Sequence, residues 1–130
     1  MSVVAVAFND SVPGRAALAR AVLEAERDGR ELVVLHVVEE LSADSREHAD
    51  FNTRRAVVAA GGDENNVRVL IGAQGPDPAG ALIDQAIQAD ADMLVVGGRH
   101  RSAVGKLLMG STVQRVLLDA PMPVLLVKAD

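Results

Sequence analysis

The sequence predicts an α/β domain built on a parallel sheet with crossover helices, and three observations carry that expectation. Short β-branched runs alternate with longer segments of helical period, the pattern of successive βα units. The runs are mostly apolar rather than regularly alternating with polar residues, and the first is almost wholly so, as strands covered on both faces require. At 130 residues and 49% hydrophobic content, there is material for one core and one domain spanning residues 1–130.

The first strand is Val3 to Phe8. Asn9, Asp10 and Ser11 follow with cap-type side chains, and Pro13 suits a first helical turn. Ala17, Leu18, Ala21, Val22 and Ala25 then recur at helical spacing up to Gly29. A second buried strand runs from Leu32 to Val38, with four valine or leucine residues ahead of His36. The polar stretch Glu39 to Asp44 leads to a weaker helical segment, Ser45 to Ala60, closed by Gly61 and Gly62. Val67 to Ile71 is a third strand. Gly75 to Pro78 is a turn whose Asp77 caps a helix beginning at Pro78 and ending near Asp90, with Ala81, Leu82, Ala86 and Ile87 as its buried stripe. Met93 to Val96 is a fourth strand running into Gly97 and Gly98. A last helix, Met109 to Asp119, is stopped by the prolines at 121 and 123, and Val124 to Val127 is the fifth strand.

Composition removes several function classes. Thirteen basic against 18 acidic residues leave a formal charge of −5, which argues against nucleic acid or anionic lipid as the main partner. Phe8 and Phe51 are the only aromatics, too few for a base-stacking platform or a carbohydrate groove. Without cysteine there is no disulfide, thiolate nucleophile or cysteine zinc site. The chain starts without a basic, cleavable leader, and its apolar stretches are shorter than a membrane span, so a soluble cytoplasmic protein is expected. Among the histidines, His36 reads as a hydrogen-bonded core residue and His48 as a helix surface residue. With His100 they form no metal-ligand spacing. Ser11, Ser102 and Ser111 lack the surroundings of an activated nucleophile, the acidic clusters fall at turns and helix ends, and Arg54-Arg55 reads as a surface pair. No dedicated enzyme is predicted.

Two loops at strand C-termini stand out, which is where open α/β sheets bind ligands. One is Asn9-Asp10-Ser11. The other runs from Gly97 to Thr112 and holds four glycines together with Arg99, Arg101 and Lys106, without a carboxylate, inside an acidic protein. Glycines permit close backbone approach, and the free amides opening the final helix face an oxyanion favourably. The loop is an anion-site candidate, most suited to phosphate, but neither a Walker loop nor a dinucleotide fingerprint.

At this loop the chain resembles a single-domain universal stress protein, of the UspA-like kind. Nucleotide-binding members of that family carry Gly-x-x-Gly, nine further residues, then Gly-Ser or Gly-Thr; Gly97 and Gly110-Ser111 supply the first glycine and the closing pair. Val116-Leu117, the run Ala120 to Val127, the opening Val-Ala-Phe-Asn-Asp-Ser and His36-Val37-Val38 also match in place. The resemblance implies a Rossmann-like three-layer sandwich, its five parallel strands in order 3-2-1-4-5 with about four helices. It also implies a stress-response protein that binds ATP or AMP, with or without magnesium, as a regulatory ligand. Val37 would touch adenine; Asn9, Asp10 and Ser11 would lie on the ribose side. Gly97, Gly110, Ser111 and Thr112 would wrap the phosphates, with Arg99 and His100 beside them.

Two positions depart from the pattern. His100 stands at the second motif glycine, where a side chain takes space that phosphates use, and Asn9 stands where the family carries an acid that can help hold a metal or ribose hydroxyl. Gly98, Gly105 and the cations Arg99, Arg101 and Lys106 are the available compensations, with Asp10 a neighbouring substitute for the acid. Two readings follow: an adenine-nucleotide site in altered form, or a nucleotide-independent dimeric stress-response or partner-binding module that has lost ATP binding, with an unidentified protein client as a candidate partner. A third is an anion sensor using Arg99, His100 and Arg101. The uncharged run Val124, Leu125, Leu126, Val127 would be a sheet edge in that strand order, so a homodimer through antiparallel pairing of this strand is expected, as the resemblance also implies.

Overall fold

A computed structural model describes residues 2–100, 107–108 and 110–129, with the backbone alone at 100, 107 and 108. In chain order its elements are β1 (Val3–Ala7), α1 (Val12–Asp28), β2 (Glu31–Val38), α2 (Ala43–Ala59), a 3-10 turn (Glu64–Asn66), β3 (Val67–Ala73), α3 (Pro78–Gln88), β4 (Met93–His100), β5 (Leu107–Leu108), α4 (Ser111–Asp119) and β6 (Val124–Ala129). The five parallel strands lie in the order β3-β2-β1-β4-β6, the expected 3-2-1-4-5 arrangement with four helices. No described helix is long and apolar enough to cross a membrane.

Strand alternation builds the two outer layers. Val3 and Ala5 of β1, with Val33 and Leu35 of β2, join Ala79, Leu82, Ile83 and Ala86 of α3 and Val116 of α4 in one buried cluster. Val4, Val6 and Val34 face the other way and pack against Ala17, Leu18, Ala21 and Val22 of α1 and Val57 of α2. Both faces of β1 and β2 are therefore covered, which is why residues 3–7 and 32–35 read as continuous apolar runs.

The structure corrects several details. The α3 stripe is rotated: Ile87 is half exposed, whereas Ala79, Ile83 and Gln85 are buried. Gln85 escapes a hydrophobic pattern because it is polar, yet its Nε2 donates to His36 O at 3.3 Å. The second helix starts at Ala43, because Ser42 and Ser45 form a reciprocal cap. Arg54 is more than a surface residue: its guanidinium donates to Glu64 O at 2.8 Å and to Asp50 at 2.9 Å, tying α2 to the start of β3. Among the described residues the final helix begins at Ser111; Met109, placed in it by the sequence, lies outside them.

The main difference is β4, which continues beyond Val96 through Gly97 and Gly98 to His100. Its edge toward β6 pairs Leu94–Arg99 with Val124–Ala129, so the antiparallel contacts of Arg99 with Leu108 and His100 with Leu107 must use its opposite edge. That edge is shared with β1, whose pairing stops at Val95. The short β5 consequently sits past the end of β1.

Candidate functional site

Where β1 is flanked by β2 on one side and β4 on the other, the helices leave in opposite directions and a crevice opens at the strand C-termini. A cleft of about 460 Å³ occupies this point. Its apolar walls are Phe8 after β1, Val37 of β2, Leu82 of α3, Val96 of β4 and Val113 and Val116 of α4. Its polar rim is formed by Asn9, Ser11, Gln74, Arg99 and Thr112, with backbone from Gly97, Gly98 and Gly110.

The turn after β1 is locked by its own side chains. Ser11 N donates to Asn9 O at 2.9 Å, the Ser11 hydroxyl donates to Asn9 Oδ1, and Ser11 Oγ caps α1 by accepting from Gly14 N at 3.1 Å. A Cβ at Gly14 would overlap Asn9 O, so the turn folds back on α1 only because that residue is glycine. Asn9 and Ser11 thus face the cleft in a fixed arrangement. Asp10 does not: its carboxylate pairs with Arg15 at 2.6 Å and lines a separate cavity. His36 is half-buried, and its Nδ1 donates to Phe8 O at 2.8 Å, tying the end of β2 to the start of this turn.

Across the cleft, Gly97 lies directly beneath α1. A Cβ there would overlap Pro13 O and its carbonyl carbon, so this motif glycine admits the first turn of the helix against β4. Gly110 differs, since nothing lies within 4 Å of a Cβ built there. It is the N-cap residue of α4, without a side-chain cap and without an acid in the first turn. By contrast α1, α2 and α3 are capped by Ser11, Ser42 and Asp77. The opening turn of α4 therefore offers backbone N–H groups and a partial positive charge at a cleft lined by its own Gly110 and Thr112.

α4 is held in place by Arg115, whose guanidinium reaches Asp77 at 3.3 Å and Asp119 at 3.0 Å. The amide of Gly80, and after it the Arg115 guanidinium, hold the Asp77 carboxyl below its ordinary pKa. One carboxylate thus caps α3 and anchors the helix that brings its amides to the cleft.

Of the residues proposed from sequence, Asn9, Ser11, Val37, Gly97, Arg99, Gly110 and Thr112 line one cleft, and Ser111 is the first residue of α4 beside it. The His100 side chain, Arg101, Ser102, Gly105 and Lys106 lie outside the described residues. Phe8, Gln74, Leu82, Val96, Val113 and Val116 were not singled out, because the apolar ones look like core in any sequence and Gln74 follows an ordinary strand. Among the described residues the lining contains one cation, Arg99, and no carboxylate. A magnesium ion would find no anionic protein ligand there, so these walls do not fit a resident metal.

The universal stress protein family model matches residues 1–128 of the chain. A universal stress protein of Mycolicibacterium smegmatis is 34% identical over 128 residues, covering 96% of this chain and 96% of that protein. The universal stress protein of Archaeoglobus fulgidus, solved in complex with dAMP, superposes with a TM-score of 0.70 at 20% identity, over 97% of this chain and 96% of that one. A universal stress protein solved in complex with cAMP gives 0.69 at 22% identity, over 99% and 98%.

Proposed function

Because the chain belongs to the universal stress protein family, we propose that its switch-point cleft binds an adenine nucleotide as a regulatory ligand in a cytoplasmic stress-response protein, without dedicated catalysis. The observation that carries this reading is an apolar slot ending at an uncapped helix N-terminus beside Arg99. Val37, Leu82 and Val96 suit the faces of a base, the fixed Asn9 and Ser11 offer polar atoms for a ribose, and the amides of α4 with Arg99 suit a phosphate. The structural neighbours bound to dAMP and cAMP support this use of the fold.

The charge balance narrows the ligand. With Arg99 and one helix terminus facing it, and no carboxylate on the described walls, the cleft suits a nucleotide of low charge without a metal. Calorimetric titration of ligand-stripped protein is expected to show saturable binding of AMP or cAMP below about 1 mM. Magnesium should change the apparent Kd for ATP by less than about threefold. Absence of binding by AMP, cAMP and ATP at millimolar concentration would overturn the reading and leave the fold serving dimer or protein contacts.

We also propose that β6 pairs with its copy in a homodimer. The outer edge of β6 has no strand partner among the described residues, and Val124, Leu125, Leu126 and Val127 are only half-buried in the single chain. Antiparallel pairing would satisfy that edge. Sedimentation should give twice the chain mass for the native protein, and the chain mass after Leu125→Lys; a native monomer would rule the pairing out.

A further inference from the structure

A second cavity, of about 620 Å³, lies between α1 and α2 on the sheet face away from α3. Its size falls within the range of small-molecule sites, about 300–1,000 Å³. The turn after β1 is the partition: Phe8 lines both spaces, Asn9 and Ser11 line the nucleotide cleft, and Asp10 lines the second cavity.

The walls of this cavity are mainly apolar, with His36, Ser45 and Thr53 also among the lining residues, and its mouth is basic. Phe8 and Val38 form the sheet side, and Ala49 and Ala56, two turns apart on one face of α2, leave the space open because both side chains are small. At the mouth stand Arg15, His48 and Arg55, against one carboxylate, Asp10. Arg15 neutralises Asp10 directly. Arg55 lies over the Phe51 ring, with its charge 5.7 Å from the ring centroid, and has no anionic partner among the described residues. His48 and Asn52 make no side-chain hydrogen bond among the described residues. This is an uncompensated cationic mouth on a chain of net charge −5.

We propose that this cavity is a second binding site, for a small organic monoanion with an apolar body. Its charged end meets Arg55 and His48, Asn52 supplies a neutral hydrogen bond, and the body lies against Phe8, Ala49 and Ala56. A nucleotide or free phosphate suits it poorly. The Ser45 amide in the first turn of α2 is taken by the Ser42 hydroxyl, and Arg55, the mouth arginine left unpaired among the described residues, balances one negative charge.

The probe is octanoate, added to the full chain while its amide NMR spectrum and heat of binding are followed. Saturable binding below about 1 mM is expected, with shifts confined to residues around Phe8, Val38, Ala49, Asn52 and Ala56. Octanol, which has the same body without the charge, should bind at least about tenfold more weakly, and inorganic phosphate should leave these amides unmoved. Arg55→Gln combined with His48→Gln, both at exposed positions, should weaken octanoate about tenfold without altering the rest of the spectrum. Ala56→Phe should fill the space and abolish binding. No saturation, equal affinity for octanol, shifts centred on Val37 and Thr112, or affinity unchanged in the double variant would each overturn the proposal. None of these readouts depends on nucleotide binding.

Discussion

Gly97→Ala is expected to destabilise the protein by about 3 kcal/mol, at the upper end of what overpacking costs in a well-ordered core. The added methyl would meet the carbonyl of Pro13, a backbone group in the first turn of α1 that cannot swing aside as a side chain can. Relief requires α1 to move away from β4, which breaks its contact with the cluster built on Leu18 and Val22. For a domain whose total stability is about 5–15 kcal/mol, that is a large fraction. Urea unfolding followed by circular dichroism measures it directly. Gly110→Ala is the matched control: the site is open and its backbone is not left-handed, so the cost should stay below about 1 kcal/mol, the ordinary penalty of alanine at a helix N-cap. Equal losses for the two glycines would mean that α1 does not press on β4 as described.

Thr112→Asp should separate folding from ligand binding. A carboxylate in the first turn of α4, which carries no acid, favours the helix by about 0.3–1 kcal/mol through its dipole. Thermal stability should therefore be unchanged or slightly raised. The same carboxylate lines the cleft at the end assigned to phosphate, and repulsion there should weaken AMP binding roughly 10- to 100-fold. Thr112→Val removes the hydroxyl while keeping the shape, and should cost less than about tenfold. Calorimetry on the three proteins at one ionic strength is the appropriate measurement. Undiminished AMP affinity in the aspartate variant would show that the phosphate does not sit at this helix.

How much of the site could be read from the chain depends on which partners a residue needed. Val37 was identified through a motif and lies in the cleft, next to the strand histidine bound to Phe8 O. Ser11 caps α1 through an interaction three residues long, which sequence spacing captures well. Asp10 shows the opposite case. As the neighbour of Asn9 it was a substitute carboxylate for the cleft, but backbone direction turns it to Arg15 and the other cavity. Arg54 likewise gained its role from Glu64 and Asp50, contacts that a surface pair of arginines does not announce.

The α/β class and the succession of strands and helices along the chain were determined by the sequence itself. They follow from local periodicity, and strands buried on both faces and helices buried on one carry different patterns. Tertiary structure alone decided the length of β4, the face of α3 and the neighbour of each motif glycine. Gly97 and Gly110 are equivalent as letters, but one is needed by a helix 84 residues earlier in the chain and the other borders open space. No local pattern encodes that distinction, because it arises when parallel pairing brings β4 beside β1 and sets the first turn of α1 against it.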